Sequence, residues 1–162
     1  MTDQELIEKY PWLRITNRWT GEYIESAGGT ELDLMPSGWR KAFGEQMCEE
    51  INSELMTWPR EDRERFRITD IKEKWTSLRF YTNLVSPGLN KIIQKYTLLS
   101  RFTCILCGKP ARWITRGWYM PFCQECAEEQ MQHINNSYST QTDWDAEFVD
   151  IDEYYKPYEE ED

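Results

Sequence analysis

The chain has 162 residues, 40% hydrophobic and 14% aromatic with eight tryptophans, and a net charge of -10. That length suits one ordinary domain or a domain with a small satellite, and so many rings can fill its core. MTDQELIEKYPWL has no basic stretch followed by an apolar one, and no apolar run approaches ~18 residues, so the reading is a cytoplasmic protein with no signal peptide and no membrane span.

The charge is unevenly spread. Asp143 to Asp162 holds ten acids against one lysine, while Arg60 to Cys126 holds 13 basic and 6 acidic residues. Overall acidity disfavours wholesale binding to DNA or anionic membrane, but the basic middle can still meet phosphates locally.

Residues 1–37 read as irregular, with a short helix in DQELIEKY that stops before Pro11 and a stretch rich in turn residues after it. Gly38 to Trp58 reads as a helix. Trp39, Phe43, Met47, Ile51 and Leu55 recur every four residues, Ser37 is the expected N-cap and Pro59 the stop. Cys48, at the edge of this stripe, reads as a buried free thiol. RFRITDIKEKWTSLRFYTN suggests a β-hairpin with a charged turn. SPGLNKIIQKYTLLSRF suggests a second helix, capped by Ser86 with Pro87 in its first turn and striped by Leu89, Ile92, Ile93, Tyr96 and Leu99.

The cysteines carry the strongest signal. Cys104 and Cys107 form one CxxC pair, fifteen residues intervene, and Cys123 and Cys126 form a second. Two such pairs can aim four thiolates at one zinc ion, closing a tetrahedron with no open position for water or substrate. Gly108 suits the tight turn after Cys107 because it accepts positive φ. ARWITRGWYMPF reads as a short hairpin around Arg116-Gly117. CQECAEEQMQHINN reads as a helix whose first turn supplies ligands, where the dipole favours thiolates. Knuckle, hairpin and helix make a treble-clef-like arrangement. Separate redox pairs lack a βαβ context, disulfides do not fit a cytosolic chain, and His133 stands about two turns past Cys126, a surface helix residue and not a ligand.

The expected fold class is therefore α+β, a helix plus β-hairpin body with a C-terminal treble-clef-like four-cysteine zinc module. Its parts are residues 1–103, the body; 104–137, the zinc module packed on it; and 138–162, an acidic aromatic tail expected to be disordered alone. The expected cofactor is one structural zinc ion.

Catalytic groups are scarce. The single histidine removes the zinc-deaminase and His-Asn-His nuclease patterns, and no phosphate loop or nucleophile elbow appears. The expectation is a protein that is not an enzyme, with no catalytic residues.

GWRKAFGEQMCEEI, ITDIKEKWTSLRFY, KYTLLSRFTCILCGKPA and RGW…PFCQECA, in that order, resemble an uncharacterised zinc-knuckle family of bacterial, phage and prophage genomes. The resemblance covers about Pro11 to Ala127. It implies a zinc-knuckle protein of mobile elements and extends to the fold core and to Cys104, Cys107, Cys123 and Cys126; it transfers no activity.

In the tail, acids alternate with rings: Trp144, Asp145, Glu147, Phe148, Asp150, Asp152, Tyr154 and Tyr155 are the candidate partner-binding residues. Three readings fit them. The tail solubilises, or it orders on a basic protein surface by standing in for nucleic acid, or it folds back over the basic middle. The favoured function is a non-enzymatic inhibitor or adaptor of the phage anti-defence (anti-CRISPR-like) kind, bound to a basic, nucleic-acid-handling protein. The alternative is a nucleic-acid-binding zinc module using Lys72, Lys74, Arg79, Lys109, Arg112 and Arg116, regulated by the tail. Either way the metal is read as a staple that holds rigid the hairpin bearing Arg112, Trp113, Arg116 and Trp118.

Overall fold

Thr2 accepts from the Glu5 amide and Glu5 returns the bond to the Thr2 amide, a capping box that starts helix α1 (Asp3–Lys9). In the structure, a computed structural model describing residues 1–137 and 141–159, α1 leads into a 3-10 turn, Pro11–Leu13, that buries Trp12 and Leu13. The loop beyond is tied down from inside. Glu31, only 1% exposed, pairs with Arg18 at 2.5 Å and accepts from the Thr16 amide at 3.1 Å. A buried carboxylate needs such partners, because leaving it unpaired costs several kcal/mol.

The helix expected from Gly38 to Trp58 is divided. α2 (Ser37–Trp39) passes through a π turn, Arg40–Gly44, into α3 (Glu45–Leu55). Its stripe of Trp39, Phe43, Met47, Ile51 and Leu55 is buried throughout. Ser37 does not cap it. Pro36 holds the cap position, and the Ser37 hydroxyl donates instead to the Leu106 carbonyl at 3.3 Å. The widened turn lies where the helix meets the first cysteine turn. A Cβ on Gly38 would fall 2.3 Å from the Cys104 carbonyl oxygen, so helix and turn touch backbone to backbone. Such π turns often mark sites where a helix adapts to a neighbour. Cys48 is 1% exposed, and burial pushes its thiol up to about 12.

After α4 (Arg60–Arg65), β1 (Ile68–Lys74) and β2 (Ser77–Thr82) form the expected hairpin. Ile68, Ile71, Leu78 and Phe80 point to the core. α5 (Pro87–Ser100) is capped by Ser86, which accepts from the Leu89 amide at 3.0 Å. Its Tyr96 ring meets Phe43 at 5.3 Å, joining α5 to the central helix. Leu99, assigned to the buried stripe, is 44% exposed; Ser100 faces inward in its place and accepts from the Leu78 amide at 2.8 Å.

The second sheet has the order β4-β3-β5, from β3 (Trp113–Thr115), β4 (Pro121–Phe122) and β5 (Phe148–Asp150). α6 (Gln124–Ser137) follows β4, α7 (Trp144–Glu147) precedes β5, and α8 (Ile151–Glu159) follows it. Thus the acidic segment completes a sheet of the module. No helix among the described residues is long and apolar enough to cross a membrane.

Candidate metal centre and the surfaces beside it

The first cysteine turn is closed by its own backbone. The Cys104 amide donates to the Lys109 carbonyl at 2.7 Å, and the Gly108 amide to the Cys104 carbonyl at 3.0 Å. Gly108 sits at φ +85, and a Cβ there would lie 2.7 Å from the Gly38 carbonyl oxygen, so turn geometry and helix docking both require glycine. The Ile105 amide donates to Pro121 at 2.9 Å, tying the turn to β4. β4 runs directly into Cys123, and α6 begins at the next residue. The Cys126 amide points at Cys123 Sγ from 3.4 Å, as expected where thiolates meet a helix N-terminus.

These elements bring the sulfurs of Cys104, Cys107, Cys123 and Cys126 within 4.8 Å of one another. The Cys107 and Cys123 sulfurs are 3.5 Å apart, far beyond the ~2.05 Å of a disulfide. Metal–sulfur bonds of ~2.3 Å imply tetrahedral edges of about 3.8 Å, so the four cysteines can hold a metal ion. Cys104 and Cys123 are buried, Cys107 and Cys126 half-buried. Burial works against the Cys107 thiolate, but the Lys109 amide and the neighbouring thiols outweigh it and hold that thiol low. For Cys123 and Cys126 burial prevails and pushes the thiols up. Four close sulfurs cannot all ionise without a cation among them. Lys109, just past the first pair, bonds Glu125, inside the second, at 2.8 Å. His133 is exposed on α6, outside the cluster.

The partner-binding candidates fall into two groups. Phe148 is 1% exposed and Tyr155 9%. Both are committed to the chain's own packing, Phe148 against Trp144 at 4.7 Å and Tyr155 against Phe102 at 5.1 Å, so neither serves as an anchor for a partner in this conformation. Trp144 and Tyr154 are half-buried beside Trp113 and Tyr119, at 5.1 and 5.6 Å. Glu147, also half-buried, accepts from Thr142, and Asp150 is paired with Arg112. Asp145 and Asp152 remain exposed, flanked by exposed Asp143 and Glu153, and no cation pairs with these four among the described residues.

The six basic candidates are largely engaged. Lys72 pairs with Asp70 at 3.4 Å, Lys109 with Glu125, and Arg112 with Asp150. Arg116 donates through Nε to the Asp145 carbonyl at 2.7 Å. Arg79 faces Lys72 across the first hairpin, with its Nε buried and without a hydrogen-bond partner among the described residues. Lys74 is exposed near the hairpin turn. Of the six, the acidic segment engages Arg112 through Asp150 and Arg116 through the Asp145 carbonyl; Glu160, Glu161 and Asp162 lie outside the described residues.

One surface escaped the sequence reading. The turn of the first hairpin and the tip of the second meet around Glu73, Trp75, Trp118 and Tyr119. The available signal was two solvent-facing tryptophans, each at the centre of a turn, but sequence separation gave no reason to place them together. No family model, no curated protein and no solved structure matches this chain.

Proposed function

We propose that the chain is a non-enzymatic interaction protein in which one structural zinc ion, held by Cys104, Cys107, Cys123 and Cys126 in a treble-clef-like module, fixes an acidic and aromatic surface for a protein partner. Zinc is favoured over other metals because an all-thiolate tetrahedron is a soft, closed ligand set. The observation that carries the reading is β5. It hydrogen-bonds to β3 with Ile114 opposite Val149 and Thr115 opposite Phe148, which makes the acidic segment a fixed part of the module. Asp143, Asp145, Asp152 and Glu153 then face solvent from a defined scaffold.

Exposed carboxylates on a rigid frame suit a partner with a basic surface, and nucleic-acid-handling proteins have one. An anti-CRISPR-like inhibitor is the instance that the family resemblance brings forward. Direct nucleic-acid binding has less support, because four of its six candidate cations are already engaged by the chain's own acids or carbonyls.

The test is an affinity capture with the intact chain and with Asp145→Asn/Asp152→Asn/Glu153→Gln. The expected result is a basic partner held by the wild type and weakened at least tenfold by the triple variant, with stronger retention at low salt. Recovery of anionic partners only, or equal retention by both forms, would overturn the reading. Truncation after Thr142 is unsuitable as a test, since it also removes Phe148 and Ile151 from the core.

A further inference from the structure

Between the two hairpin tips lies a cleft of about 320 Å³ lined by Glu73, Lys74, Trp75, Gly117, Trp118 and Tyr119. Trp75 is 61% and Trp118 72% exposed. Two indoles left in water beside each other give up a large hydrophobic stabilisation, so they are not there for folding. The frame around them is fixed. Trp75 stacks on Tyr119 at 6.0 Å with planes 28° apart. The Thr76 amide donates to the Tyr119 carbonyl at 3.1 Å, and Thr76 Oγ1 shares a 2.8 Å hydrogen bond with the Tyr155 hydroxyl.

The turn itself is strained. Trp75 and Thr76 take φ of 54 and 71, the signs a two-residue type I′ turn requires, and positions where Asn-Gly is the usual choice. Each non-glycine residue there costs about 1–2 kcal/mol. For Thr76 the buried contacts offset that cost, but Trp75 points into water. Strain held in place by surrounding structure is characteristic of ligand clamps.

Glu73 supplies polarity. Burial pushes its carboxyl above the ordinary range, although it accepts from the Thr76 amide at 3.3 Å and the Trp118 side chain also favours its charge. No cation pairs with it among the described residues, and Lys74 beside it is exposed. A partly desolvated carboxylate in a cleft walled by exposed indoles calls for a cation. Among cations, a guanidinium fits best: it is planar, weakly hydrated, stacks on aromatic faces and bonds a carboxylate. Nucleobases also stack on such rings, but they bring phosphates toward Glu73 and a chain of net charge -10.

We infer that this cleft binds an arginine side chain of a protein partner, its guanidinium stacked on the Trp118 and Trp75 indoles and paired with Glu73. The inference rests on the interaction reading and names the residue class that the partner presents.

The test is a titration of the full chain with a blocked Gly-Arg-Gly peptide, read on the indole N–H signals of Trp75 and Trp118, with blocked Gly-Lys-Gly and uridine monophosphate in parallel. Both indoles should shift saturably with the arginine peptide. Trp118→Ala and Glu73→Gln should each weaken binding about tenfold; the first removes an exposed ring and the second keeps the hydrogen-bond acceptor, so both fold. Equal or tighter binding of the lysine peptide, shifts with the nucleotide instead, or no shift with arginine would overturn the assignment. The partner capture separates the two proposals. A basic partner retained equally by wild type and Trp118→Ala overturns the cleft and leaves the interaction reading standing. With no basic partner captured, that reading falls and the peptide titration alone decides the cleft.

Discussion

The two hairpins solve the same problem with different means. The β1–β2 hairpin has strands of seven and six residues, a continuous buried face and a two-residue turn, and its β2 packs directly against α5. The β3–β4 hairpin has strands of three and two residues. A two-stranded ribbon that short is not stable by itself in water. It stands because three things grip it: the cysteine cluster at its base, the Ile105 amide bond to Pro121, and β5 along its other edge. Self-sufficient pairing in one case and external support in the other imply different vulnerabilities.

The largest expected break is at the metal. Cys104→Ser or Cys123→Ser removes a buried ligand, and bound zinc should fall from one per chain to none. Because metal binding is folding free energy for such a module, the loss should exceed ~4 kcal/mol by urea unfolding. The damage should concentrate in β3, β4, β5 and α6.

The next largest concerns the clamp strand. Phe148→Ala should cost about 3–5 kcal/mol, since the ring is buried against Phe122 and Trp144. Trp118→Ala, on the exposed tip, should stay within about 0.5 kcal/mol. Equal effects would erase the distinction between the scaffold and the surface of this hairpin.

A glycine pair sharpens it further. Gly38→Ala drives a Cβ into the Cys104 carbonyl and should cost about 1–3 kcal/mol. Gly117→Ala has open space around it, and only its positive φ is penalised, at about 1 kcal/mol.

The smallest effects have opposite signs in the two sheets. Asp150 starts from an ordinary value near 3.8; burial opposes ionisation, but the Asp152 amide and Arg112 prevail and hold its carboxyl low. Its folded value lies below its unfolded one, so its stabilisation is present above ~3.8 and is lost as pH falls through the folded value. Glu73 starts near 4.5 and is pushed up by burial. Its folded value lies above the unfolded one, so ionisation weighs against folding as pH rises past ~4.5. Urea midpoints at pH 7 should therefore fall in Asp150→Asn and rise in Glu73→Gln, with both differences shrinking toward pH 3.

The contrast also explains what the sequence made legible. The α3 stripe, the Ser86 cap and the paired cysteines were readable because each is a local pattern with a local cause. The π turn was not, since it arises where Gly38 meets the backbone of Cys104 and Ile105, far away in the chain. The same holds for Ser37, whose hydroxyl is taken by Leu106. The acidic segment was the hardest to read. Its composition argues against an independent core, and β5 needs none: the free edge of β3 supplies its hydrogen bonds, and Phe148, Ile151 and Tyr155 supply its burial. The cleft was hidden for a similar reason, as only the fold puts Trp75 beside Trp118.

The most direct measurement of the central claim is residue-resolved amide hydrogen exchange before and after metal removal by a chelator, with zinc quantified in the starting sample. One zinc per chain is expected. On chelation, protection should collapse at Ile114, Thr115 and Ile151 and persist at Leu78 and Ile51. Unchanged protection at Ile114 and Ile151 after complete removal of the metal would contradict the claim that the four cysteines staple the second hairpin.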